Sequence, residues 1–251
     1  MKVNCLDGTP RLCPYSLTRS RRKTVAIYIR NGEAEVRAPL RMPQCEIDRF
    51  VLEKERWIIE NIAKQREWAE RKKSFVLDYG SSILFRGKLY PIEGREGTYV
   101  GFDSKCGLGD ERALKIAFDG KAFCIPQELS TTQIKFACIQ LYKILAKSHI
   151  SDRAAFFASQ MGVVPTAVKI NSAAKRWGSC SSRKSINFSW RLIMADDAII
   201  DYVVVHELAH IKEMNHSARF WAVVENVLPN YQEHRRRLKE LQHRLSGEDW
   251  A

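Results

Sequence analysis

The stretch from Ala198 to His210 constrains this 251-residue chain more than any other. Apolar residues from Ala198 to Val205, interrupted by Asp201 and Tyr202, run directly into His206-Glu207-Leu208-Ala209-His210. Leu208 and Ala209 keep helix propensity high, so the spacing predicts a buried helix, from Asp196 to Met214. Residues four apart on a helix lie about 40° apart around the axis and one turn along it. His206 and His210 can therefore meet one metal ion, while Glu207 points about 100° away from His206. That puts a carboxylate beside the metal, where a base can take a proton from an activated water. The pattern is His-Glu-x-x-His, with two ligands and a general base.

An open metal site of this kind needs a third protein ligand. His216 is the choice, six residues beyond His210 and just after Asn215, a residue that tolerates the left-handed conformation and can end a helix. Glu213 competes, since a continued helix would return it to the ligand face one turn away; otherwise it is a supporting partner or exposed. His149, His234 and His243 have no comparable spacing and read as structural or solvated. The seven cysteines, Cys5, Cys13, Cys45, Cys106, Cys124, Cys138 and Cys180, form no CxxC pair. They read as reduced thiols, several of them small core residues, and Cys180 as inert.

Elsewhere the pattern changes from period two to period three and four. Residues 23–38 form a hairpin around Asn31-Gly32, a pair suited to a tight turn with two positive φ angles. From Glu46 to Glu70, Ile47, Phe50, Val51, Trp57, Ile58, Ile62 and Trp68 outline one amphipathic helix with its tryptophans in the core. Short antiparallel strands are expected from Ser82 to Pro126, including Tyr99–Phe102 and Leu114–Phe118. Ser130 or Thr131 then caps a long apolar helix ending near His149. Strand or turn follows from Val168 to Ile193, then helices over 196–214, 217–227 and 231–245. The expected divisions are a poorly ordered segment over 1–20, a β-rich region over 21–129 and a catalytic region over 130–251, with the last two able to pack together.

A hydrophobic content of 45% is enough for a sizeable core and excludes a disordered or minimal disulfide-stapled chain. The absence of a secretory-length apolar run near the N-terminus, or of 18 uncharged apolar residues later, gives the expectation of a soluble, cytoplasmic protein. The net charge of +12 favours anionic partners without selecting among them. Arg21-Arg22-Lys23, Arg71-Lys72-Lys73 and Arg235-Arg236-Arg237 are basic runs that could contact phosphates or simply face solvent.

Three blocks carry a family resemblance: Lys175-Arg176-Trp177-Gly178-Ser179-Cys180-Ser181-Ser182 with the following Ile186–Leu192, Asp201–His210, and Asn215–Trp221. Together they resemble the YgjP-like metallopeptidases, a group related to SprT-like and WLM zinc proteins. The likeness is strongest over 170–238 and weaker toward the hairpin. It implies an α+β fold with a zincin-like catalytic core, an active-site helix and a small antiparallel sheet, preceded by the β-rich region. It also implies Zn2+ held by His206, His210 and His216, with Glu207 as catalytic acid/base. The chain departs from the metzincin pattern in having Glu213 at a glycine position, and from the YgjP-like pattern in having Arg183-Lys184 where a glycine commonly follows the paired serines.

The expected function is zinc-dependent hydrolysis of a peptide or protein substrate. Lys175, Arg176, Trp177, Gly178, Arg191 and Tyr202 are candidate substrate-binding residues, Tyr202 and Arg191 also having donors suited to an oxyanion. Ile186–Ile193 is the candidate strand for aligning an extended peptide by strand addition. Two alternatives use other chemistry. One is a metal-dependent nucleoside triphosphate pyrophosphatase, with a UTP-like nucleotide as substrate. The other is a non-enzymatic zinc protein that binds nucleic acid.

Overall fold

The computed structural model describes residues 13–96 and 116–250. The expected strand at Tyr99–Phe102, the residues Leu114 and Lys115, and Cys5 and Cys106 lie outside the described residues. The chain divides into two compact units, Met1–Phe75 with Leu245–Asp249, and Val76–Arg244 with Trp250–Ala251. No described helix is long and apolar enough to cross a membrane.

In the first unit, strands β1 (Tyr15–Ser20), β2 (Ala26–Arg30) and β3 (Glu33–Pro39) form a sheet in the order β1-β3-β2. The β2–β3 hairpin turns at Asn31 and Gly32, with φ of 52° and 74°, the two left-handed positions that an Asn-Gly pair accommodates. β1 pairs with β3 in parallel, so Tyr15–Ser20 is structured where a poorly ordered segment is expected. Helices α1 (Gln44–Glu53) and α2 (Glu55–Lys73) replace the single amphipathic helix, with the break at Lys54. The break shifts the helical phase. Ile47, Val51 and Ile58 are buried with Ala34, Val36 and Ala38, whereas Trp57 remains 46% exposed and is not a core tryptophan.

The second unit begins with β4 (Ser82–Phe85), β5 (Lys88–Arg95), β6 (Ala117–Phe118) and β7 (Phe123–Pro126), in the order β4-β5-β7-β6. The β5–β7 pair is parallel, unlike the all-antiparallel arrangement expected. These strands group with the residues beyond 129, and the chain accordingly divides after Phe75 and not near 129. Phe85, Phe118 and Phe123 form an edge-packed cluster that continues to Tyr142 and then to Trp190. The Tyr142 hydroxyl donates to the Leu84 carbonyl at 2.6 Å, satisfying a polar atom inside the core.

Tyr142 lies on α3 (Thr131–Met161), which starts at a Ser130–Gln133 capping box and ends at Gly162, φ 62°. The helix runs well past His149 because the polar residues there are used. His149 pairs with Asp197 at 3.1 Å, and Arg153 grips Asp201 through two hydrogen bonds of 2.6 and 2.8 Å. After α3 come β8 (Ala167–Asn171), β9 (Gly178–Cys180) and β10 (Ser185–Ser189), in the order β8-β10-β9. This sheet is mixed: β10 is parallel to β8 and antiparallel to β9. A 3-10 turn at Trp190–Met194 leads to α4 (Asp197–Ala209), α5 (Ala218–Val227) and α6 (Tyr231–Leu245).

Candidate metal centre

Helix α4 is buried along both sides, with Ile199, Ile200, Val203, Val204, Val205, Leu208 and Ala209 all in the core. Its first turns are fixed by charge pairs. Asp196 caps the Ile199 amide and accepts from Arg237 at 2.6 Å, Arg86 reaches Asp197 at 2.8 Å, and Arg153 holds Asp201. The helix stops at Ala209, with His210 as its cap, instead of continuing to Met214. The amides of Lys212 and Glu213 both return to the Ala209 carbonyl, closing a turn. Asn215 does not adopt a positive φ, so this hydrogen-bonded turn, and not a left-handed asparagine, reverses the chain. Ser217 then caps α5 through the Phe220 amide.

That turn brings His216 back to the helix. The candidate ligand atoms of His206, His210 and His216 all lie within 4.8 Å of one another, a grouping that could hold a metal ion. The Nε2 atoms of His206 and His216 are 3.0 Å apart. His210 Nδ1 lies 3.2 Å from the Glu213 carbonyl, and donation to that oxygen leaves Nε2 with a free lone pair. Glu213 thus meets the site through its backbone, and its carboxylate is not part of the group. His206 Nδ1 is buried without a hydrogen-bond partner among the described residues. Packing against Phe220 and Trp221, at 4.9 and 5.8 Å between ring centroids, holds this imidazole. Burial, reinforced by His210, His216 and Arg235, pushes His206 down to about 3, so it stays neutral and able to ligate.

Glu207 is only 6% exposed. Burial pushes its carboxyl up to about 7, with Arg176 opposing the shift. The room for it is made by Gly178 on β9: a Cβ there would come within 2.6 Å of both Glu207 Cγ and Oε1. A cavity of about 310 Å³ opens over this carboxylate, walled by Trp177, Gly178, Tyr202, Val203 and His206 on one side. Arg235, Leu238, Lys239 and Gln242 of α6 wall the other.

Of the expected substrate-binding residues, Trp177, Gly178 and Tyr202 line the cavity, and Arg176 acts on Glu207 from nearby. Lys175 is exposed and does not line it. Arg191 is engaged elsewhere: it donates to the carbonyls of Ser172 and Trp250 at 3.0 and 2.9 Å and lies over the Trp190 ring. It is a structural clamp. The expected peptide-aligning strand also changes, because β10 is hydrogen-bonded on both sides and its last residues form the 3-10 turn. β9 is the sheet edge next to Glu207. Sequence reasoning missed the α6 wall, although Arg235 and Lys239 are four residues apart and must share a helix face. Burial and the nearby Glu207 push the Cys180 thiol up from its ordinary value.

No curated protein matches the chain. Among solved structures, it is similar to the metallopeptidase zymogen of Pyrococcus abyssi abylysin, with 25% identity over 37% of this chain and 95% of the other, at a TM-score of 0.34. The metallopeptidase zymogen of Methanocaldococcus jannaschii jannalysin gives 21% identity, 37% and 94% coverage, and a TM-score of 0.33. The family model for the YgjP-like metallopeptidase domain matches residues 23–241, spanning the hairpin, the three histidines and most of α6. With the match covering most of its length, this chain belongs to the YgjP-like metallopeptidase family.

Proposed function

We propose that the chain is a zinc-dependent peptidase in which His206, His210 and His216 hold the metal and Glu207 is the general base. The supporting observation is the convergence of three neutral-capable imidazoles within 4.8 Å beside a buried carboxylate. Two nitrogens bound to one tetrahedral zinc at ~2.05 Å stand about 3.3 Å apart. The 3.0 Å separation of His206 and His216 fits that donor set closely, and an all-nitrogen triad leaving an open position suits a catalytic zinc. When bound, zinc would supply Lewis acidity toward the scissile carbonyl and lower the pKa of water.

The chain's own residues do the rest. The Glu207 carboxylate accepts a proton from the attacking water and delivers it to the departing amine nitrogen. In the metal-free site its burial raises its pKa, the direction that makes it a better proton acceptor. Gly178 keeps the carboxylate path clear, and the free edge of β9 offers backbone groups to an extended peptide. Trp177 and Tyr202 line the cavity beside the carboxylate.

The test is metal analysis of wild type and His216→Ala, with casein hydrolysis by wild type and Glu207→Gln, each with and without chelator. One zinc per chain in wild type, lost in His216→Ala, and chelator-sensitive cleavage abolished in Glu207→Gln are expected. Peptide cleavage that survives Glu207→Gln would defeat the assignment of the base, and chelator-sensitive cleavage of UTP without cleavage of casein would defeat the peptidase reading.

A further inference from the structure

Three consecutive arginines open α6 after its first turn, and the structure treats them differently. Arg236 pairs with Glu240 at 2.5 Å and Arg237 with Asp196 at 2.6 Å. Arg235 has no carboxylate partner among the described residues, and neither does Lys239 one turn further on. These two are the cations of α6 that wall the cavity over Glu207 and His206. Arg235 is also held in place. Its guanidinium lies over the Trp221 ring at 5.3 Å, and that ring stacks on Tyr231 at 5.1 Å and 16°.

Arg235 and Lys239 face the same cavity as His206, Glu207 and Tyr202, and neither is ion-paired among the described residues. A guanidinium fixed on an aromatic shelf, with a mobile ammonium one turn away, suits an oxygen anion, which it can bind through paired N–H donors. In a peptide substrate that anion is a carboxylate.

Resting on the peptidase reading, we propose that Arg235 and Lys239 form a specificity subsite that binds an acidic side chain of the substrate flanking the scissile bond. The C-terminal carboxylate of a short peptide offers the same chemistry, so the substrates used for the test are amidated at that end. Charge-assisted hydrogen bonds of this kind are worth roughly 10- to 100-fold in discrimination.

The experiment compares internally quenched, C-terminally amidated peptides that differ only in Glu or Gln beside the cleaved bond, on either side of it. The zinc-loaded wild type is expected to show a kcat/KM ratio of Glu to Gln peptide of at least about 10. The ratio should fall to about one in Arg235→Gln and decrease in Lys239→Gln; because it is taken within each variant, a partial folding defect cancels. A second arm reads binding without turnover, by titrating the same peptides into Glu207→Gln and into Glu207→Gln/Arg235→Gln and following tryptophan fluorescence. Tighter binding of the Glu peptide in the first protein, lost in the second, supports the subsite even where no peptide is cleaved. Equal affinities for Glu and Gln peptides, or a preference that persists without Arg235, would each overturn it. Displacement of the Glu peptide by UTP at concentrations far below that peptide's own dissociation constant would overturn the choice of a carboxylate. Cleavage that survives Glu207→Gln overturns the base assignment alone, and the binding arm still decides the subsite.

Discussion

Replacing Gly178 with alanine tests whether the carboxylate of Glu207, the proposed general base, is positioned by the absence of a single methyl group. The backbone at Gly178 is not left-handed, so alanine carries no conformational penalty there. The new Cβ would instead stand 2.6 Å from Glu207 Cγ and Oε1 and 2.8 Å from Cδ. Ordinary contact needs about 0.8 Å more. Rotating the carboxylate alone does not relieve a clash that includes Cγ. On the other side, β9 is pinned to β10 at Gly178–Phe188, and the Trp177 carbonyl accepts from the Ser189 amide at 2.8 Å. The Glu207 side chain therefore has to swing away, displacing its oxygens by about 1 Å, an error that lowers rates by roughly 100-fold. Steady-state kcat/KM on a cleaved peptide should fall by that factor while zinc content stays at the wild-type level. A Gly178→Ala enzyme with wild-type kcat/KM would refute the positioning argument, and a loss of zinc in proportion to the loss of activity would place the effect elsewhere.

Other consequences are more local. His216→Ala should lower zinc affinity by orders of magnitude whereas Glu213→Gln should leave it within a few fold, as read by competition with a chromogenic chelator; equal losses would return the carboxylate to the ligand set. Asp119 is held down to about 2 from its ordinary 3.8, chiefly by the backbone amides of Lys121 and Ala122. A carboxylate whose folded pKa lies below its unfolded one stabilises fully above the unfolded value and ceases to do so as pH falls through the folded one. The difference in unfolding midpoint between wild type and Asp119→Ala should thus be constant above about pH 5 and vanish toward pH 1, and a gap that stays at its neutral-pH size down to pH 2 would contradict this. Gly87→Ala meets both a left-handed φ of 77° and a 2.7 Å contact with Asp196 Cβ. It should destabilise the protein by more than the ~1–2 kcal/mol of the backbone term alone, measured by urea unfolding, and a smaller loss would show that the α4 cap can give way.

Local signals were legible wherever one residue type has one conformational use. Asn31-Gly32 marks its turn, Ser217 its helix start, and the apolar run into His206 its buried helix. Reading failed where the explanation lies far along the chain. The polar residues around His149 look like a helix end, yet Asp197 and Asp201, nearly fifty residues later, give His149 and Arg153 their partners and let α3 continue. The same limit applies to the arginine run. Nothing local distinguishes Arg235 from Arg237, because Asp196, which engages the latter, is 41 residues away. The candidate metal group itself was readable from spacing. The means of returning His216 was not, since a hydrogen-bonded turn from Ala209 achieves what an asparagine in the left-handed region was expected to do.

The three imidazoles stand on supports of unequal stiffness. His206 belongs to a helix enclosed by core residues and tied down by three arginines, and His210 caps that helix. His216 is exposed, on the short connection between α4 and α5. That connection is held by turn hydrogen bonds and by the His216 ring against Phe220 and Trp221, so opening it requires less free energy than global unfolding. On the proposed zinc reading, exchange of the ion with solution is then governed by a hinge: two ligands wait in fixed positions while the third lets go and returns. The lifetime of the bound metal becomes a property of residues 211–217, separable by mutation from the geometry that performs the chemistry.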